Sequence, residues 1–192
     1  MSTSPTLSPS AAGDALVPPG SWRVGEESLI GFTVRSLGRT VKGHFGSFSG
    51  RVVHGAGDGV MASGSVEVAS IDTGVADWDD RLRSAEFFDA ANHPQITFAS
   101  RRIIAEGHRY DIPGTLTIKG ISQDVSLIGR LLPPSPGDGT ETIRVAAEAT
   151  INRHAFGVNA PRGYELFGLL AAAHVKIRLL VVAVSDDRAA ID

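Results

Sequence analysis

A chain of 192 residues with 42% hydrophobic side chains is long enough to bury one full core, and a single domain is expected. Its net charge is -3 at neutral pH, with Lys and Arg scattered along the chain, so no positive field exists to attract a phosphate backbone and a nucleic-acid partner is excluded. The absence of cysteine removes a disulfide framework, a thiolate nucleophile and any thiolate metal site.

Residues 1–20 are rich in Pro, Ser, Ala and Gly and carry neither a basic start nor a continuous apolar run, the composition of a disordered tail rather than a secretion signal. A short strand is expected at Trp22 to Val24. A long one follows at Ser28 to Ser36, where Ile30, Phe32 and Val34 fall opposite Thr33 and Arg35. In VKGHFGSFSGRVV, Phe45 and Phe48 are three apart and cannot share a face of a regular strand, which places a bulge near Gly46. Gly55, Gly57 and Gly59 around Asp58 read as a hairpin turn. The next strand, Val60 to Ser70, sets Ala62, Gly64, Val66 and Val68 on one side.

Strand periodicity stops at Asp72-Thr73-Gly74. There Asp77 is expected to cap a helix through WDDRLRSAEFF, with Trp78, Leu82 and Ala85 on one face. Asn92-His93-Pro94 ends it, since the residue before proline is pushed to extended angles. Pro94 to Ala105 and Arg109 to Lys119 then form a hairpin across Glu106-Gly107-His108. A strand from Gln123 to Leu132 puts Val125, Leu127, Gly129 and Leu131 together. PPSPGDG is a turn. In TIRVAAEATI, Ile143, Val145, Ala147, Ala149 and Ile151 share a face. An irregular connection holding Phe156, Tyr164 and Phe167 leads to a last strand with Val175, Ile177, Leu179 and Val181 inward. The most apolar window, Leu166 to Val184, alternates with His174, Lys176 and Arg178, which suits a strand and not a membrane span. With neither signal nor span, the cytoplasm is the expected location, and residues 185–192 form a C-terminal tail after a domain of residues 21–184.

The elements sum to an all-β fold: a single up-and-down antiparallel barrel of eight strands with one short inserted helix. Such a barrel is filled by side chains or holds one small ligand. Ala62, Gly64, Gly129, Ala147, Ala149 and Ala183 are inward residues too small to reach the axis, which favours a cavity for an apolar guest.

No catalytic pattern stands out. The six His residues show neither HxH nor HExxH spacing, so no metal site is expected. Asp77, Asp79, Asp80 and Glu86 cluster near the start of the helix, as the helix dipole favours. No GxSxG element positions a nucleophile. Phe87 and Phe88 are read as anchors of the helix end, and Arg81 and Arg83 as ion-pair partners of Asp79, Glu86 or Asp89 unless they meet a phosphate at the barrel mouth. Arg153 is a comparable case. The protein is read as a non-enzyme with no cofactor other than a bound lipid. The competing readings are a small enzyme at the barrel mouth using Arg81, His154 and Asp80, and a filled barrel serving as an interaction module.

RLRSAEFFD followed by HPQITFAS, GTLTIKG followed by ISQDVSL, and the segments INRHAFGV and GHFGSFSG resemble, in order and spacing, the YceI-like family over Ser21 to Val184. The resemblance implies a lipocalin-like barrel holding a long isoprenoid chain, of polyprenyl phosphate or quinone type, in its pore. It also implies a lipid partner, transient membrane contact and, as in some relatives, a homodimer. Phe32, Val34, Phe45, Phe98, Leu116 and Ile118, core residues in any case, would then line the pore with Ala147 and Phe156. Arg81, Arg83 and Arg153 are the head-group candidates. The chain departs from the family pattern in having Arg at 81 where His is usual and Trp at 78 where Arg is usual. Near Glu27 and Ser36 it lacks the usual His residues, and the family's export signal is missing.

Overall fold

The structure is a computed structural model that describes residues 17–36, 39–55, 59–133, 135, 142–159 and 172–186. Its strands are β1 (Gly20–Val24), β2 (Leu29–Ser36), β3 (Arg39–Phe45), β4 (Phe48–Gly55), β5 (Gly59–Glu67), β6 (Ile71–Asp72), β7 (Gln95–Ser100), β8 (Ile104–Glu106), β9 (Arg109–Ile118), β10 (Ile121–Leu131), β11 (Thr142–Asn152) and β12 (His174–Ser185). One α-helix, α1 (Ala76–Arg83), lies between β6 and β7. Antiparallel pairing runs β1-β4-β5-β7-β9-β10-β11-β12 and returns to β1 through Trp22 opposite Ser185, so eight strands close into a barrel without an open edge along that ring.

The first two barrel strands are each bent into two segments. β1 and β2 run in the same direction along β12. Between them the buried Ser28 hydroxyl donates to the Val182 carbonyl (3.3 Å) and accepts from the Val182 N–H (2.9 Å). β3 and β4 break where sequence spacing demands it: Gly46 donates its N–H to Ser70 (3.1 Å), and Phe45 and Phe48 fall on separate segments. At the closing seam, Arg23 on β1 and Arg51 on β4 both reach Asp186 just past β12, at 3.3 and 3.2 Å.

Several expectations are corrected. The helix stops at Arg83, so Phe87 and Phe88 sit in the turns that follow and Ala85 is exposed rather than on a packed face. Asp77 does not cap it: the N-cap is Val75, and it is Asp79 that accepts from the N–H and hydroxyl of Thr73 (2.8 and 2.6 Å). The segment from Pro94 to Ala105 is two strands, β7 and β8, both paired to β9. Val17 is buried and packs with Trp22, Val60, Ile143 and Ala183, so the packed chain begins ahead of residue 21. Gly57 and Asp58, most of PPSPGDG, Tyr164 and Phe167 lie outside the described residues. Among the described residues no helix is long and apolar enough to cross a membrane.

Two glycines shape the interior by close approach. A Cβ on Gly43 would lie 2.3 Å from the Phe32 ring, and one on Gly114 2.5 Å from both the Phe98 ring and the Ala99 carbonyl. Each ring therefore passes close over the glycine of a neighbouring strand on its way along the barrel wall. At position 114 the obstruction includes backbone, which cannot swing aside. Gly114→Ala is accordingly expected to lower stability by about 1–3 kcal/mol, the usual cost of overpacking. Urea unfolding measures this, and an unchanged midpoint would show that the β7 backbone at Ala99 and the Phe98 ring both shift at little cost.

Candidate functional site

The inward faces enclose a cavity of about 300 Å³ that runs from one end of the barrel to the other. At the helix end it is bordered by Leu82, Phe88, Ile151, Arg153 and Val158. At the opposite end its floor is Val17, Val24, Val52 and Ile143. The floor is held by two hydrogen bonds to the segment before β1: Trp22 Nε1–H donates to the Pro18 carbonyl (3.1 Å) and His54 Nδ1–H to the Val17 carbonyl (2.6 Å).

The wall is apolar because strand alternation puts one hydrophobic residue of every pair inside. Its two halves differ in bulk. Near the helix, Phe32, Phe45, Phe98 and Phe88 crowd the bore, and the Phe32 and Phe45 rings lie 5.9 Å apart. Toward the floor, Ala62, Ala147 and Ala183 line it among Ile103, Tyr110, Ile112 and Leu131. Gly129, also expected to open the bore, has its inward direction occupied by Ile112 and Tyr110.

Of the residues singled out from sequence, Phe32, Val34, Phe45, Phe98, Leu116, Ile118, Ala147 and Arg153 border the cavity. Phe156 does not; it is buried at 1% exposure in the cluster with Phe45, Ile71 and Phe87. Neither Arg81 nor Arg83 borders it. Arg83 pairs with Asp80 (3.0 Å), not with Asp79, Glu86 or Asp89, and donates to the Ile71 carbonyl (2.7 Å), fastening α1 to β6. Asp80 and His154 of the enzyme reading are exposed and off the cavity, and His154 is bonded to Asn159.

Two arginines, Arg51 and Arg153, border this apolar wall, and Arg153 is the buried one. It is 7% exposed, donates to the carbonyls of Val158 (2.6 Å) and Ala172 (3.0 Å), and burial holds its pKa below the usual arginine value. Those bonds tie the turn after β11 to the start of β12. Sequence reasoning missed Tyr110, Val17, Leu82 and Phe88 as cavity residues. The alternation of RYDIPGTLTI, carried back one step from Ile112, would have placed Tyr110 inside.

A closed antiparallel barrel with an apolar internal cavity and one end covered by a helix defines a class of ligand-holding barrels. The YceI-like domain model matches residues 22–183, and the chain belongs to that family. It is 33% identical over 147 residues to a UPF0312 protein of Pectobacterium carotovorum, covering 72% of this chain and 74% of that one. Protein YceI of Escherichia coli O157:H7 is 31% identical, with 72% and 75% covered. Among solved structures, BcnA of Burkholderia cenocepacia superposes with a TM-score of 0.71 at 26% identity, over 83% of this chain and 98% of that one. A polyisoprenoid binding domain from Saccharophagus degradans gives 0.67 at 16% identity, over 88% and 99%, a likeness of fold.

Proposed function

We propose that this barrel binds a single isoprenoid or other long-chain lipid, of polyprenyl phosphate or quinone type, and carries or stores it without altering it chemically. The observation that carries the reading is the apolar cavity itself, whose volume of about 300 Å³ suits one narrow tail. Phe32, Val34, Phe45, Phe98, Leu116, Ile118 and Ala147 supply contacts to that tail, and Arg153 supplies the charged contact at the helix end. Membership of the family, and a structural relative described as polyisoprenoid binding, support the choice of lipid.

Removing a five-carbon isoprene unit from water is worth about 4 kcal/mol at about 0.8 per carbon. Relative to a bilayer the same unit gains almost nothing, because lipid is as apolar as the barrel wall. The pore therefore exchanges its ligand with membranes at little cost in free energy, which suits transport through transient membrane contact. Organic extraction of the purified protein followed by mass spectrometry is expected to yield a bound lipid, and lipid-free protein is expected to take up added polyprenol or prenylated quinone. A protein that repeatedly yields no lipid and takes up neither probe does not have this function.

A further inference from the structure

Lysines and arginines that are scattered along the sequence are gathered by strand pairing on one side of the barrel. On β2, β3, β11 and β12 the residues that alternate with the cavity wall point outward, and they include Arg35, Lys42, Arg144, Lys176 and Arg178. Among the described residues, Glu148 is the one carboxylate on these four strands. It stands directly opposite Arg178 and pairs with Lys176 at 2.7 Å. Its carboxyl is held below the ordinary pKa, first by the Lys176 hydrogen bond and then by the charges of Lys176, Arg178 and Arg130 on β10, so four strands contribute to one cationic cluster with β2 and β3 counted alongside β10 and β12. Asp72, at the far edge beside β3, lies 3.9 Å from His44. On the other side of the barrel the outward residues of β5, β7 and β9 are mostly hydroxyls, among them Ser63, Ser65, Thr97, Thr115 and Thr117. The charge is one-sided in a chain whose net charge is -3.

The same side carries an apolar row. Leu29 is 59% exposed, the highest value among the large hydrophobic residues described. It stands opposite Leu180, which stands opposite Ala146, which stands opposite Arg130. Exposed leucine beside exposed Arg178, Arg130 and Lys42 is the composition of a surface that meets lipid headgroups, where cations reach phosphates and an apolar side chain enters the acyl boundary. A nucleic acid would use the cations and leave Leu29 in water, so the leucine decides between the two polyanions.

We infer that the side of the barrel formed by β11, β12, β2 and β3 docks on an anionic lipid bilayer, with its arginines and lysines on the headgroups and Leu29 at the acyl boundary. The inference rests on the transient membrane contact of the lipid-carrier reading and names the face that makes it.

Vesicle flotation with the full chain tests it, using phosphatidylcholine alone and phosphatidylcholine with about a quarter phosphatidylglycerol. A basic residue near an anionic surface is worth about fivefold in partition. Replacing Lys42, Arg130 and Arg178 together by Gln is expected to weaken binding to the anionic vesicles by tenfold or more, about what the loss of two or three such contacts gives. Replacing Arg101, Arg102 and Arg109 by Gln removes the same charge elsewhere and is expected to leave binding within about twofold. Leu29→Ser is expected to weaken it by about three- to tenfold. Circular dichroism confirms that each variant folds. None of these residues borders the cavity, so uptake of polyprenol from detergent is expected to be unchanged in all of them. Wild type that binds neither vesicle, or both equally, overturns the inference, as do the two triple variants weakening alike. Leu29→Ser binding like wild type, or duplex DNA displacing the protein from vesicles, shows a general polyanion surface and also overturns it. Failure of wild type to take up polyprenol, with docking intact, overturns the lipid-carrier reading and leaves the docking face standing.

Discussion

Ala147→Phe is expected to abolish lipid uptake while the barrel stays folded. Ala147 lies in the middle of β11, opposite Gly129 on β10 and Leu179 on β12, and it borders the cavity. A phenyl group there occupies space that the tail would otherwise fill. Because Ala147 borders the cavity, the ring displaces ligand rather than packed side chains, in contrast to an Ala149→Phe change, where the site is buried off the cavity. Exclusion of one five-carbon unit removes about 4 kcal/mol of apolar transfer energy, close to a thousandfold in affinity. Uptake of a radiolabelled polyprenol by lipid-free protein, alongside circular dichroism, measures both halves of the expectation. Normal uptake by a folded variant would mean that Ala147 does not face the ligand.

The barrel was legible because strand alternation is a local signal. Ile143 to Ile151 and Val125 to Leu131 declare their inward faces within ten residues, and the same alternation gives the register by which the strands pair. Phe45 and Phe48 announced the break in the second barrel strand by violating that period. What stayed hidden depends on contacts distant in sequence. The helix reads as longer than it is because WDDRLRSAEFF keeps helical spacing to its end, yet Ser84 turns to extended angles and ends the helix at Arg83, a terminus that local propensity does not require. Val17 becomes part of the floor only through His54 and Trp22, partners on β4 and β1. Tyr110 was passed over for a different reason: a hydroxyl at the start of a strand looks like a surface group until the neighbouring strands are known to seal it.

Phe87 and Phe88, adjacent and alike in sequence, part company in the fold, and their truncations are expected to differ accordingly. Phe87 is 1% exposed and packs among Phe45, Ile71, Leu82 and Phe156, holding the post-helical turn on the barrel end. Phe87→Ala leaves a cavity in a cluster fixed by β3, β6 and α1, elements that cannot all close around it. The expected cost is about 3–5 kcal/mol. Against the 5–15 kcal/mol typical of whole domains this is a large share, and it will appear as a marked fall in the urea midpoint and in Tm. Phe88 is half-buried and borders the cavity at its helix end. Its truncation removes fewer packed contacts and widens the crowded half of the pore, so the smaller stability loss should come with faster release of bound lipid. Chemical unfolding and a lipid-transfer assay on both variants decide the matter. Equal losses of stability, with release rates unchanged, would mean that the two rings share one structural role and that the turn after α1 does not border the route of the ligand.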